Sequence, residues 1–197
     1  MLRLLLLLLP LLRSPTGKRY LHTANVGDAR AVLSYRGKAV PLTYDHKATD
    51  EKEQKRIEEA GGFVLRGRVL GILAVARSFG DHSLKQFVSA RPHITITEIR
   101  PEHDFLALCC DGVFDVMEND DVVRFIAEHS VDGTTFCSTL SLSFNVLELV
   151  LKPMVTYIYM SLNRPHTGPN PDISRLIVEE ALKRRSTDNI TAMVVYL

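Results

Sequence analysis

The sequence predicts an α+β fold, and two features of its pattern lead to that class. Residues 94–99 read Ile-Thr-Ile-Thr-Glu-Ile, which is the alternation of a strand with one buried face. The candidate elements run as strands, a helix, more strands and then further helices, instead of the regular strand–helix alternation of parallel α/β folds. At 197 residues, the chain is long enough to bury one sizeable core.

The first elements are short strands joined by turns. Residues 23–26 and 31–35 have the apolar and β-branched composition of strands. Arg36-Gly37-Lys38 is a hairpin turn that leads into a third strand at 39–42. We therefore expect the domain to begin with β structure.

A helix follows these strands. Asp50 and Glu53 form a capping-box-like start, because acidic side chains at these two positions can each accept a backbone N–H bond. Gly61-Gly62 ends the helix, since glycine readily adopts the left-handed conformation found after helix C-termini. Residues 63–65 and 69–70 then predict two short strands.

The second half of the chain carries the most apolar strands. Residues 105–110 form one such strand, which ends at Asp111, and residues 190–197 form the last. Asn119 is a candidate N-cap for a helix with one apolar face, and Asp172 is a candidate N-cap for another.

Charge and cysteine content exclude some functions. Lys plus Arg number 24 and Asp plus Glu number 23, so no basic field favours nucleic acid as a partner. The three cysteines include an adjacent pair without CxxC spacing, which indicates packing thiols instead of a disulfide framework or a zinc site. We therefore expect the core to fold in a reducing compartment, in the cytoplasm or the nucleus.

Two segments do not match the rest of the predicted domain, which covers residues 21–197. Residues 1–20 form a leucine-rich leader that resembles a signal-peptide core, yet it is too short to span a bilayer and lacks a clear cleavage site. It indicates either secretory or membrane targeting or a translated stretch outside the native domain. Residues 138–170 are apolar but contain Glu148 and Lys152, which argues against a membrane span. We interpret them as an atypical insertion or a retained intron.

Two aspartates stand where an apolar strand meets a loop. Asp111 follows the strand 105–110, and Asp188 precedes the strand 190–197. A carboxylate in such a poorly hydrated position is unfavourable unless it is paired or binds a cation. Carboxylate oxygens are the ligands that Mg²⁺ and Mn²⁺ prefer. The pair therefore predicts a shared metal site, with an N-cap role for Asp111 as the alternative.

Six motifs, in order along the chain, resemble those of the metal-dependent (type 2C) Ser/Thr protein phosphatases. Residues 73–81 read Leu-Ala-Val-Ala-Arg-Ser-Phe-Gly-Asp, beside the family's Leu-Ala-Val-Ser-Arg-Ser-Phe-Gly-Asp. Each motif alone occurs by chance, whereas six in the right order are specific. The other five motifs lie at 24–33, 42–47, 53–62, 110–116 and 186–191.

The resemblance implies a fold, a reaction and a set of ligands. The fold is a β-sandwich of two antiparallel sheets flanked by helices, of which this chain resembles the carboxy-terminal half to two-thirds. The reaction is hydrolysis of phosphoserine or phosphothreonine in proteins by a metal-activated water, with Mg²⁺ or Mn²⁺ in a binuclear centre. By motif, Asp111 and Asp188 would bind one metal and Asp28 a third, weaker one that it shares with Asp111. Asn189 and Gly112 would support the site.

The resemblance does not extend to the family's Asp-Gly-His-Gly-Gly motif, its bridging aspartate or its phosphate-binding arginine. We therefore expect weak or no activity from the chain as written, and we expect strands 105–110 and 190–197 to lack pairing partners. An alternative function is a non-catalytic phosphatase-like module that binds phosphoproteins or a kinase, and another explanation is a gene model that misses the first exons of an enzyme. In each case we expect a monomer that contacts a membrane, if at all, through its leader.

Residues 45–81 resemble the family's flap, which lies beside the catalytic cleft and sets substrate preference. Within this segment, we interpret Arg77 and Asp81 as a structural ion pair instead of substrate contacts. His46 is interpreted as a surface histidine instead of a general acid. No residue of the chain is assigned as catalytic.

Overall fold

Two antiparallel sheets and a small hairpin organise the chain in the computed structural model. The structure divides into two compact units, and the α+β class predicted from the sequence is confirmed in it. Unit 1 comprises Met1–Ala31 and Leu42–Arg100, whereas unit 2 comprises Val32–Pro41 and Pro101–Leu197. The residues described are 5–13, 17–130, 137–142 and 172–197.

A three-stranded sheet forms the β structure of unit 1. Its strands are β1 (Leu5–Arg13), β2 (Arg19–Val26) and β7 (His93–Ile99), in the order β1-β2-β7. Both pairs are antiparallel. Part of the segment interpreted as a leader thus forms a strand, and its role in targeting stays a prediction.

Helix α1 (Glu51–Glu59) begins where the sequence predicts. The Oδ1 atom of Asp50 accepts two backbone N–H bonds of the first turn, at 3.0 and 3.1 Å, which satisfies donors that a helix start otherwise leaves open. The second half of the predicted capping box is wrong, because the buried Glu53 side chain pairs with Arg56 and Arg77.

A hairpin and a short 3-10 turn complete unit 1. The hairpin consists of β5 (Val64–Leu65) and β6 (Arg68–Val69), and the turn spans His82–Leu84. These elements and α1 enclose a core of their own. Its buried members are Ala48, Ile57, Val69, Leu73, Val75, Ala76, Leu84 and Val88.

Unit 2 is built on a five-stranded sheet. The strands are β3 (Arg30–Tyr35), β4 (Lys38–Pro41), β8 (His103–Cys109), β9 (Cys137–Leu142) and β10 (Ile190–Tyr196). Their order in the sheet is β4-β3-β8-β10-β9. The expectation that strands 105–110 and 190–197 lack partners is wrong. The first corresponds to β8, which lies between β3 and β10, and the second to β10, which lies between β8 and β9.

Strand β9 includes the first residues of the predicted insertion. It pairs antiparallel with β10, with Leu140 opposite Ala192. The remainder of the predicted insertion, 143–170, lies outside the described residues. Among the residues that are described, no helix is both long enough and apolar enough to cross a bilayer.

Three helices complete unit 2: α2 (Asp111–Phe114), α3 (Asn119–His129) and α4 (Ile173–Lys183). The predicted cap of α3 is off by one residue, because Glu118 is the N-cap. Asp172 is the N-cap residue of α4, as predicted, although its carboxylate binds Arg175 at 3.0 Å. The core between these helices and the sheet includes Val32, Phe105, Ala107, Val113, Phe114, Met117, Val122, Val123, Ile126, Ile173, Ile177, Val178, Ile190, Ala192 and Val194.

Candidate functional site

Asp111 lies at the junction of β8 and α2. It is the first residue of the helix, and the N-cap is the extended Cys110, so the N-cap alternative for Asp111 is wrong. The Asp111 side chain is half-buried, and its Oδ1 atom accepts a bond from the backbone N–H of Gly112 at 3.0 Å. The carboxylate therefore stands at the end of a buried strand, where the sequence predicts it.

Asp188 occupies the loop between α4 and β10. Its side chain is half-buried as well, and its Oδ1 atom accepts a bond from the backbone N–H of Asn189 at 2.7 Å. Since β8 and β10 are neighbours in the sheet, the two aspartates lie at the ends of adjacent strands in one unit.

The thiol of Cys110 ties the two loops together. Its Sγ atom donates to the Asn189 carbonyl oxygen at 3.0 Å and accepts from the Thr191 backbone N–H at 3.1 Å. The Cys110 backbone N–H also donates to the Thr191 carbonyl oxygen at 3.1 Å. Burial, and to a lesser extent the Asp111 carboxylate, raise the pKa of this thiol. The thiol is therefore protonated at neutral pH, which is the form that can donate to a carbonyl.

Gly112 allows these loops to approach each other. A Cβ atom at this position would lie 2.3 Å from the carbonyl oxygen of Asn189, a distance that no side chain tolerates. In addition, the Ser186 hydroxyl donates to the Gly112 carbonyl oxygen at 2.6 Å. Glycine is required here by a close backbone approach and not by a positive φ angle.

Asp28 belongs to unit 1. It lies in the turn between β2 and β3, and only 8% of its surface is exposed. The adjacent Gly27 has a φ of 109°, and its backbone N and O atoms lie 3.2 and 3.0 Å from Nδ1 of His46. Because Asp28 and Asp111 fall in different units, the predicted sharing of a metal between them stays a prediction.

The interpretation of His46 as a surface histidine is wrong. The residue is completely buried, and its Nε2 atom has no hydrogen-bond partner among the described residues. Burial, and next the charge of Arg77, lower the pKa of the imidazole. His46 is therefore a neutral core residue that supports the Gly27 turn.

Arg77 forms an ion pair with Glu53 and not with the expected Asp81. Its Nε atom donates to Glu53 Oε1 at 3.0 Å, and its Nη1 atom donates to the Arg91 carbonyl oxygen at 2.9 Å. Asp81 instead accepts a bond from the Ser78 hydroxyl at 2.8 Å. The expected Arg77–Asp81 ion pair is thus replaced by an Arg77–Glu53 pair.

The Asp111–Asp188 pair suits a hard divalent cation by its donor chemistry. Both side chains offer carboxylate oxygens, and Mg²⁺ commonly binds to one or two carboxylates while water and phosphate complete its shell. Within the part of the chain that the structure describes, no group of three or more His, Cys, Asp or Glu side chains is placed to hold a metal. A cation bound here would therefore keep water or phosphate among its ligands.

The predicted site residues thus separate into two sets. The structure brings together the loops of Asp111 and Asp188, with Gly112 and Asn189 between them, and it places Asp28 in the other unit. Sequence reasoning missed the bonding role of the Cys110 thiol. The only available signal was its position next to Asp111, since a thiol in an apolar strand normally indicates packing.

Comparisons with known proteins agree on one family. The family model for protein phosphatase 2C matches residues 11–157. Protein phosphatase 2C homolog 1 of Saccharomyces cerevisiae is 37% identical over 180 residues, which is 91% of this chain and 50% of that protein. The homolog 1 of Schizosaccharomyces pombe is 39% identical over 181 residues, which is 91% of this chain and 41% of that protein. The chain therefore spans half or less of these relatives.

Solved structures show the same fold. A Caenorhabditis elegans sex-determining protein matches with a TM-score of 0.67 and 25% identity, over 90% of this chain and 36% of that one. A phosphatase from a pathogenic strain of Toxoplasma gondii matches with a TM-score of 0.65 and 25% identity, over 91% of this chain and 48% of that one.

Proposed function

The chain belongs to the protein phosphatase 2C family, and from this premise we propose that it acts on phosphoserine and phosphothreonine in proteins, with Mg²⁺ or Mn²⁺ as cofactor. The observation that supports the proposal is that Asp111 and Asp188 lie at the ends of adjacent strands, on two loops that are hydrogen-bonded to each other through Cys110. Loops held in this way present both carboxylates with little loss of conformational entropy on binding.

Each residue of the site has a part in this proposal. Asp111 and Asp188 would hold the cation, and Asp28 would contribute to a further, weaker metal position. When bound, Mg²⁺ or Mn²⁺ lowers the pKa of a water molecule and offsets the negative charge of the phosphate. Cys110 and Gly112 keep the two carboxylate loops in register. The phosphoprotein supplies the ester, and the products are the free hydroxyl side chain and inorganic phosphate.

A second candidate function is a phosphatase-like module that binds phosphoproteins without hydrolysing them. It is favoured by one observation: among the described residues no group of three or more His, Cys, Asp or Glu side chains is placed to hold a metal. Such a module need not depend on a divalent cation, so metal dependence separates the two functions.

The test measures Mn²⁺ binding and turnover on the same protein. We expect the purified chain to bind Mn²⁺, detected by the loss of the free-ion electron paramagnetic resonance signal, and to hydrolyse a phosphothreonine peptide only when Mn²⁺ is present. Asp111→Asn and Asp188→Asn should each weaken Mn²⁺ binding about tenfold or more, since even outer partners of metal ligands contribute 10–100-fold. The matched control is Glu128→Gln, an exposed carboxylate on α3.

The outcomes discriminate between the functions. Turnover and Mn²⁺ binding that both fall in the two aspartate variants and persist in the control support the phosphatase. Mn²⁺-independent binding of the phosphopeptide, with no turnover, supports the non-catalytic module instead. Metal binding that is equal in all four proteins would refute the assignment of the site.

A further inference from the structure

The β5–β6 hairpin of unit 1 presents one face to the core and one to solvent. Val64 pairs with Val69, which is completely buried, and Leu65 pairs with Arg68. Since side chains alternate across a strand, Leu65 and Arg68 lie on the opposite face from the two valines. Phe63 lies on that outer face as well, and its carbonyl oxygen accepts a backbone bond from the residue after β6 at 2.9 Å.

This outer face carries large apolar side chains although it is exposed to solvent. Phe63 and Leu65 are each 54% exposed, and Ile72 is 63% exposed. Leu65 approaches the residue before Ile72, because its Cδ2 atom is 3.8 Å from the position that a Cβ atom on Gly71 would take. Arg68, which pairs with Leu65 across the hairpin, donates to the Ile72 carbonyl oxygen. Large apolar side chains grouped on a surface indicate a contact site for another molecule.

Two arginines of the hairpin border these apolar side chains. Arg66 and Arg68 are exposed, and none of the ion pairs found among the described residues includes either of them. Arg68 donates instead to the Ile72 carbonyl oxygen at 2.9 Å, which fixes its guanidinium beside the apolar group. The segment 61–80 contains no aspartate or glutamate, so its own side chains leave this positive charge unbalanced.

The turn of the hairpin has a regular two-residue geometry. Arg66 and Gly67 have φ values of 51° and 71°, as in the two-residue turns that match the twist of paired strands. Below the turn, Val69 anchors the hairpin in the core of unit 1. A surface that is fixed before binding loses less conformational entropy when a partner docks.

We propose that the hairpin face, defined as Phe63, Leu65, Arg66, Arg68 and Ile72, docks an acidic segment of a partner protein that also carries apolar side chains. The apolar side chains of the segment would cover Phe63, Leu65 and Ile72, and its carboxylates would pair with the two arginines. Charge complementarity selects this occupant over a second copy of the chain, whose own hairpin face is basic as well. The inference goes beyond ester hydrolysis, because it concerns binding and needs neither metal nor turnover.

The test is a direct binding measurement with a short, fluorescein-labelled, unphosphorylated peptide that combines glutamate and leucine with serine and glycine spacers. Fluorescence anisotropy should show binding in the range of tens to hundreds of micromolar, as for a small transient interface. Replacing the glutamates by lysine, or the leucines by serine, should abolish binding. Raising the salt concentration to about 0.5 M should weaken it, because exposed charge pairs are screened.

Matched variants locate the binding surface. We expect the double variant Arg66→Glu, Arg68→Glu to weaken binding about tenfold or more, since two attractive pairs become repulsive. Leu65→Ser should weaken it about fivefold or more through the lost apolar contact. The controls are Arg91→Glu and Ile94→Ser, which change an exposed arginine and an exposed isoleucine elsewhere in unit 1 and should leave affinity unchanged.

Several outcomes would overturn the proposal. It would be refuted by equal affinity for the glutamate and lysine peptides, or by an equal loss of affinity in the control variants. It would also be refuted if no binding were seen up to about 1 mM peptide, since a Kd of that size corresponds to a binding free energy of only about −4 kcal/mol. Self-association in sedimentation experiments that Leu65→Ser removes would assign the face to a second copy instead. Circular dichroism of each variant establishes that a lost affinity does not reflect a lost fold.

Discussion

Replacing Gly112 by alanine should loosen the candidate site by forcing its two loops apart. The added Cβ atom would lie 2.3 Å from the Asn189 carbonyl oxygen and 3.1 Å from its carbonyl carbon. The first contact must open by roughly 0.7 Å to reach 3.0 Å, below which Cβ contacts essentially never occur in close-packed proteins. Both obstacles are backbone atoms, so no rotation of a side chain can relieve the clash.

The expected effect is a lower free energy of unfolding and weaker Mn²⁺ binding. Overpacking of a tight site costs about 1–3 kcal/mol, whereas alanine recovers about 0.4–1 kcal/mol by restricting the unfolded chain. We therefore expect a net loss of about 1–2 kcal/mol in urea denaturation. The shift also displaces the Asp111 loop from Asp188, so Mn²⁺ affinity should fall with stability.

Gly80→Ala is the matched control for this substitution. Among the described residues no neighbouring atom lies within 4 Å of a Cβ built at Gly80, and its φ is not positive. Alanine there should therefore raise the free energy of unfolding by about 0.4–1 kcal/mol, because only the restriction of the unfolded chain acts. If Gly112→Ala were as stable as the parent chain and bound Mn²⁺ equally well, the close approach would not shape the site.

Three further changes test other contacts. Cys110→Ala removes both hydrogen bonds of the sulfur atom to the Asp188 loop and should lower the free energy of unfolding by about 1–2 kcal/mol. Cys110→Ser should recover part of this loss. Equal stability of the parent and both variants in urea would contradict the reasoning. Glu53→Gln leaves Arg56 and Arg77 without their carboxylate and should lower the free energy of unfolding by about 3 kcal/mol. The control Glu59→Gln, which breaks an exposed pair, should lower it only a little. Similar losses in both variants would show that burial of the Glu53 pairs does not add to their effect. The third change concerns His46, whose pKa is lowered in the folded state. The unfolded state binds an extra proton as the pH falls below about 6.5, so the contribution of His46 to stability is full above that pH and declines below it. Urea titrations across this window should show a shallower decline for His46→Gln than for the parent, and parallel curves would refute a buried, neutral His46.

Local rules were sufficient where the structure depends on neighbours in sequence. Asp50 caps α1 because a short acidic side chain can reach the first backbone N–H groups, and that depends on nothing outside the segment. The order of strands and helices likewise follows from hydrophobic periodicity. The positions of Asp111 and Asp188 at strand ends were predicted on the same basis.

The errors arose where a distant residue competes for the same side chain. Glu53 was expected to cap its own helix, but Arg77 lies 24 positions away in sequence and offers a stronger, charged donor. The sequence favours a surface position for His46, whereas in the structure the residue is buried and its Nδ1 atom accepts a bond from the Gly27 backbone N–H. Pairing partners for β8 and β10 were not foreseen, since sheet order depends on contacts that no local pattern encodes.

The division of the chain between its units has a consequence for fragments and insertions. The hairpin of β3 and β4 belongs largely to unit 2, yet Leu42–Arg100, which belongs to unit 1, separates it from the remainder of unit 2. A fragment that starts at Pro101 would lack both strands, and β8 would become an open edge prone to aggregation. By contrast, lengthening the intervening segment should cost unit 2 little, because each doubling of a connecting loop adds only about 0.6 kcal/mol of closure entropy. The stability of the unit 2 sheet therefore depends strongly on where the chain is cut, and only weakly on the length of the unit 1 segment between β4 and β8.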